Sequence, residues 1–171
     1  GNHTVCETLH TTNYFPGGFS EYIRVPKINV ERGVFLLPEE ISFEEGTFVE
    51  PLACVLRGQR IAGFQKGQRV IILGAGICGL LHLLLAEAKG AQKITITDIN
   101  EFRLKKAKEL GADNAINAKD NLEDLADLVI ISTSAQPAFL QALKCVDRAG
   151  TILMFAPTEP GITLPVPVND F

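Results

Sequence analysis

From residue 69 onward, apolar residues come in short unbroken runs that alternate with longer, more mixed stretches. The segments 69–73, 93–97, 114–117, 127–132 and 151–155 read as strands, with continuous apolar runs at 70–73, 128–131 and 152–155, as expected when helices cover both faces of a sheet. The intervening stretches read as helices at 77–89, 101–110 and 137–147, with a weak one near 121–126. Asn100 can cap the second helix and Gly111 can end it; Pro137 starts the last, and Gly150 follows it. Alternating strands and helices joined by right-handed crossovers predict an α/β fold with a doubly wound parallel sheet.

The rhythm before residue 67 is different. Residues 1–12 are polar and aperiodic, and the Pro16-Gly-Gly18 turn leads into an expected strand at 19–25. A second short strand is expected at 34–37, closed by Pro38. Ser42-Phe-Glu-Glu45 has the spacing of a capping box, in which the serine and glutamate side chains each satisfy a free backbone N–H at a helix start. Pro51 suits the first turn of a further helix running to about Ala62.

The most informative chemistry sits between the first two strands of the alternating region. Gly74-Ala-Gly-Ile-Cys-Gly79 follows directly on an apolar strand and opens a helix, and the next strand ends in Asp98. A G-x-G-x-x-G loop alone is a weak signal, but in this strand–loop–helix–strand–acid context it is the dinucleotide-binding fingerprint. Gly74 permits the tight turn, Gly76 lets a pyrophosphate approach the backbone, and Gly79 lets the helix pack closely. Ile77 and Cys78 complete the phosphate cradle at a helix N-terminus, where free N–H groups and the helix dipole favour an anion. Asp98 would accept from the adenosine ribose hydroxyls and repel a 2′-phosphate, which favours NAD over NADP. Arg103 either lies over the adenine or reaches a ribose oxygen, with an ordinary exposed helix arginine as the alternative. Ser132, Thr133, Phe155 and Ala156 end the fourth and fifth strands and should border the nicotinamide half, because ligands of doubly wound folds bind at the carboxyl ends of the strands.

Composition narrows the partners. A net charge of −4 argues against nucleic acid or an anionic membrane as the main partner. The longest apolar stretch, 77–86, is interrupted by Gly79 and His82 and is too short to span a bilayer. The four cysteines, at 6, 54, 78 and 145, form no C-x-x-C pair and read as free thiols, which suits a cytoplasmic protein. His82 reads as a packed core histidine. His3, Cys6 and His10 make a poor tetrahedral metal site.

Several motifs, in order, extend the picture. Gly17-Gly-Phe-Ser-Glu-Tyr22, Leu37-Pro38, Ser42-Phe-Glu-Glu-Gly46, Val49-Glu-Pro-Leu52, the glycine loop, Asp98, Arg103-Leu104 and Ala107-Lys-Glu-Leu-Gly-Ala-Asp113 resemble zinc-dependent medium-chain alcohol dehydrogenases, in particular the polyol, sorbitol and threonine dehydrogenase branch. The resemblance implies a remnant of a β-rich, GroES-like catalytic domain at residues 1–50 and an incomplete Rossmann domain at 51–171. It implies an oxidoreductase that passes hydride between a small alcohol or polyol and NAD, with zinc as Lewis acid, in a homodimer or homotetramer. Glu50 would stand at the catalytic zinc, as a ligand or as a partner of zinc-bound water. Cys6 would be the last of four structural-zinc cysteines. The family's early catalytic cysteine and its Gly-His-Glu motif are missing, so the expectation is an excised middle section that binds NAD without turning over substrate. A zinc-free quinone or enone reductase and a non-catalytic NAD-binding module are the alternatives.

Overall fold

The structure, a computed structural model, describes residues 14–167, and the chain divides into two compact units between Gly46 and Thr47. In the first unit, helix α1 spans Lys27–Gly33 and the single turn α2 spans Phe43–Gly46. The capping box forms as expected. Ser42 N–H donates to Glu45 Oε2 at 2.8 Å, and Glu45 N–H donates to Ser42 Oγ at 3.2 Å. The expected strands at 19–25 and 34–37 do not form. Among the described residues of this unit, 34–37 join no ladder, and the only ladder contact is an isolated antiparallel bridge between Phe15 and Arg24. A strand needs a partner edge to satisfy its N–H and C=O groups, and the described residues of this unit supply none.

The second unit begins with α3, Val49–Ile61. The alternating elements follow: β1 Arg69–Leu73, α4 Ile77–Ala88, β2 Lys93–Asp98, α5 Glu101–Glu109, β3 Asn114–Asn117, β4 Ala126–Ile131, α6 Gln136–Cys145 and β5 Val146–Met154. All five strands are parallel, in the order β3-β2-β1-β4-β5. Neighbours pair in register, for example Ile72 with Ile96 on one side and Ile130 on the other.

Unbroken apolar runs have the reason anticipated. On β1, Val70 and Ile72 pack into one core with Leu83, Ile94, Ile96 and Ile130. Ile71 and Leu73 face the opposite core, with Val129, Ile131, Phe139 and Ala142. All four β1 side chains are at most 1% exposed, and each such burial contributes about 1.5–3 kcal/mol.

Two local expectations are corrected. No helix forms near 121–126, where the polar, proline-free connection runs irregularly into β4. β5 starts at Val146, directly after α6, and not at 151. Between the pairs Ala126–Val146 and Leu128–Thr151 the register shifts, so residues 147–150 bulge out of the ladder with Ala149 at φ 59°. At this amino end of the sheet, Arg69 bridges Asp127 (2.6 Å) and Asp147 (2.7 Å), and Lys93 pairs with Asp124 (2.9 Å). These pairs hold the Asp124, Asp127 and Asp147 carboxyls below their usual range and tie the strand starts together.

Candidate functional site

Strand order reverses direction between β1 and β4, and ligands of doubly wound sheets bind outside the carboxyl ends of the strands at such a point. Gly74 follows β1 and Ser132 follows β4, with Ser132 N–H donating to Leu73 C=O at 2.8 Å. Gly74 has φ +104°, and a Cβ there would stand 3.0 Å from the Ser132 carbonyl oxygen. A Cβ on Gly79 would overlap the Gly74 carbonyl oxygen, so only glycine lets α4 begin this close to β1. Around Gly76 there is open space. Gly76 is also the N-cap residue of α4 and provides no side-chain cap, which leaves the first-turn N–H groups free for a ligand. Ile77 is 59% exposed at the mouth of this turn, and Cys78 is half-buried beside it.

Asp98 ends β2 with its side chain nearly buried. Its Oδ2 accepts from Ala75 N–H (2.8 Å) and its Oδ1 from Asn100 N–H (2.9 Å). The carboxylate therefore pins the glycine loop to the end of β2, a role the spacing alone did not reveal. Each oxygen retains a second acceptor direction for a ribose hydroxyl. Arg103 reaches Asp98 with an N–O distance of 3.6 Å and is half exposed. It is held on the first turn of α5, which Asn100 caps through bonds from Phe102 and Arg103 N–H.

Thr133 Oγ1 accepts from Ala135 N–H, while Ser132 Oγ is buried with no partner among the described residues. An orphaned hydroxyl beside the glycine turn is what a polar ligand would satisfy. Phe155 and Ala156 N–H both donate to Ile131 C=O, so their backbone continues β5 beside the carboxyl end of β4. The Phe155 ring, however, turns inward to His82, with centroids 4.5 Å apart and planes at 90°.

His82 behaves as the core residue expected. It is fully buried, and Gln59 Nε2 on α3 donates to its carbonyl at 3.0 Å and approaches Nδ1 at 3.4 Å. Burial pushes its pKa down to about 4. Gln59, unnoticed in the sequence, is equally buried.

Glu50 lies exposed in the first turn of α3, where Cys54 Sγ–H donates to its Oε1 at 3.2 Å. That bond raises the Cys54 pKa. Cys6, His3 and His10 lie outside the described residues. Among the described residues no three His, Cys, Asp or Glu side chains are grouped to hold a metal ion, and Glu50 alone does not make a zinc site.

A parallel doubly wound sheet, a glycine turn at its switch point and an acid at the end of β2 define a dinucleotide-binding domain. The family model for zinc-binding dehydrogenases matches residues 78–171. Sorbitol dehydrogenase of Bacillus subtilis (strain 168) is 32% identical over 98% of this chain and 50% of its own length. That of Macaca fascicularis is 31% identical over 77% and 40%. Galactitol-1-phosphate dehydrogenase of Escherichia coli superposes with a TM-score of 0.76 at 25% identity, covering 90% of this chain and 46% of that one. A zinc-binding dehydrogenase from Sinorhizobium meliloti, bound to NADP, gives 0.75 at 25% identity over 80% and 43%. The chain belongs to the zinc-binding dehydrogenase family of medium-chain oxidoreductases, and spans about half the length of the curated relatives it matches. Among the described residues no helix is long and apolar enough to cross a membrane.

Proposed function

We propose that this chain is the cofactor-holding part of an NAD-dependent dehydrogenase acting on a small alcohol or polyol, and that by itself it binds NAD without turning substrate over. The observation that carries the reading is the glycine turn at the β1–β4 switch point: an uncapped α4 terminus, open space over Gly76, and no room for a side chain at Gly79. NAD would lie with its pyrophosphate on the N–H groups of 77–79 and its adenosine ribose at Asp98. Its nicotinamide half would lie toward Ser132, Thr133 and the 155–156 backbone. When bound, the cofactor supplies hydride acceptance; the protein orients it and excludes water.

The preference for NAD over NADP rests on Asp98, whose charge opposes a 2′-phosphate. Arg103 at 3.6 Å offsets that charge in part, and the Sinorhizobium meliloti relative is bound to NADP, so the preference is a quantity to measure. Zinc as Lewis acid belongs to the same proposal, with Glu50 beside it and Cys6 in a structural site, and with the other ligands beyond the described residues. Residues up to about 50 are assigned to the catalytic domain in this reading. Titration calorimetry with NADH and NADPH tests it: NADH should bind with micromolar affinity and NADPH at least tenfold more weakly. Absence of binding by either nucleotide refutes it.

A further inference from the structure

Two helices hold the Phe155 ring. On α3, a Cβ built on Gly58 would stand 3.1 Å from Phe155 Cδ2 and 3.3 Å from its Cε2, so the ring lies directly against a position with no side chain. On α4, the His82 ring meets it at 90° with centroids 4.5 Å apart. Gln59, next to Gly58, fixes the imidazole: its Nε2 donates to the His82 carbonyl at 3.0 Å and approaches Nδ1 at 3.4 Å. With Nδ1 facing a donor, the ring proton stands on Nε2. Gln59 and His82 are both fully buried, yet Gln59 Oε1 and His82 Nε2 have no partner among the described residues. Buried polar atoms left unpaired reduce stability, and two aliphatic side chains would fill this place without that loss. The pair is therefore explained by what it holds as well as by packing. What it holds is the side chain of the first residue past β5. Phe155 N–H (3.1 Å) and Ala156 N–H (2.9 Å) share a single acceptor, Ile131 C=O. One shared carbonyl constrains this backbone less than a strand ladder does, so the anchored ring decides where it lies.

We propose that His82 is a positioning residue for the nicotinamide half of the dinucleotide: oriented by Gln59, it holds the Phe155 ring and so fixes the 155–156 backbone beside the carboxyl end of β4. The inference rests on the reading that a dinucleotide binds at the switch point, and it deepens that reading. The glycine loop and Asp98 serve the pyrophosphate and the adenosine ribose, whereas the Gln59–His82–Phe155 chain serves the opposite end of the cofactor. His82 acts only through Phe155, so loss of the imidazole should weaken the hold on nicotinamide and leave the hold on the adenosine half.

The test has two arms. In the first, calorimetry compares NADH with ADP-ribose, which keeps the adenosine and the pyrophosphate but has no nicotinamide. In His82→Leu the preference for NADH over ADP-ribose should fall about fivefold or more, with ADP-ribose affinity within about twofold of wild type. Phe155→Leu should lose the same preference, and the double variant should lose no more than either alone, because the two residues act as one unit. Gly58→Ala should lower the preference about twofold or more: its methyl group displaces the ring, while replacing a glycine inside a helix favours folding, so a lost fold does not account for the result. An unchanged preference in His82→Leu or Gly58→Ala, an equal loss of both ligands, or additive effects of His82→Leu and Phe155→Leu overturn the proposal. So does a wild type that binds the two ligands equally. The second arm needs no nucleotide. Amide hydrogen exchange followed by NMR should be about tenfold or more faster at Phe155 and Ala156 in His82→Leu, with the Ser132 amide, bonded to Leu73 C=O, little changed. Unchanged protection at 155–156 overturns the anchoring. If the wild type binds neither ligand, the dinucleotide reading fails, while the second arm still decides whether His82 holds this backbone.

Discussion

Replacing His82 by leucine should change how stability depends on pH in a defined window. The ring is fully buried between α3, α4 and Phe155, and burial lowers its pKa from an ordinary 6.5 to about 4. In the unfolded chain the imidazole takes up its proton as the pH falls through 6.5; in the folded protein it remains neutral until about 4. The unfolded state binds more protons across that interval, so folding stability must fall as the solution is acidified through it. A difference of 2.5 pKa units at about 1.4 kcal/mol each amounts to about 3 kcal/mol between neutral pH and pH 4. The carboxylates of Asp124, Asp127 and Asp147 have lowered pKa values, and their contribution is lost below the ordinary carboxylate range, so most of it falls at more acid pH. Urea unfolding followed by circular dichroism at half-unit steps from pH 7.5 to 4 would measure both proteins. The wild-type minus variant difference cancels contributions from His3, His10 and the carboxylates. His82→Leu should lose most of the wild-type slope between pH 6.5 and 4, while the Gln59 bond to the backbone carbonyl of residue 82 is retained. Parallel curves for the two proteins would show that the imidazole is protonated or hydrated in the folded state, and the burial argument would be wrong.

Other outcomes follow from the site. Asp98→Ala should narrow the NADH/NADPH affinity ratio about tenfold, roughly 1.4 kcal/mol by calorimetry. It should also destabilise the protein by about 1–3 kcal/mol, because Ala75 N–H loses its partner; an unchanged ratio would remove Asp98 from the ribose. Gly79→Ala should abolish NADH binding and lower the melting temperature, since its methyl group must displace the Gly74 carbonyl; normal binding would place the nucleotide elsewhere. Glu50→Ala should leave NADH affinity in this chain within twofold, because the residue is exposed and bonded only to Cys54 in its own helix; a large loss would put Glu50 in the nucleotide site.

Much of this protein is determined locally and is legible in its residues. The strands 69–73 and 114–117 have the bounds expected of them, and in β1 the reason is that both faces of the sheet are covered, so the apolar run 70–73 fills the strand. Ser42, Asn100 and the glycines of the loop act within a few residues of themselves, so their spacing carries their function. Where pairing depends on residues far along the chain, the pattern was insufficient. The runs at 19–25 and 34–37 have strand composition but no partner edge among the described residues, and the start of β5 is set by Ala126 and Asp127 across the ladder. Tertiary structure alone decided that Asp98 anchors Ala75, that the Phe155 ring turns inward to His82, and that Gln59 is a buried partner. Each of these contacts joins elements far apart in the chain, so it is a property of how helices and strands lie against one sheet, which no single element encodes.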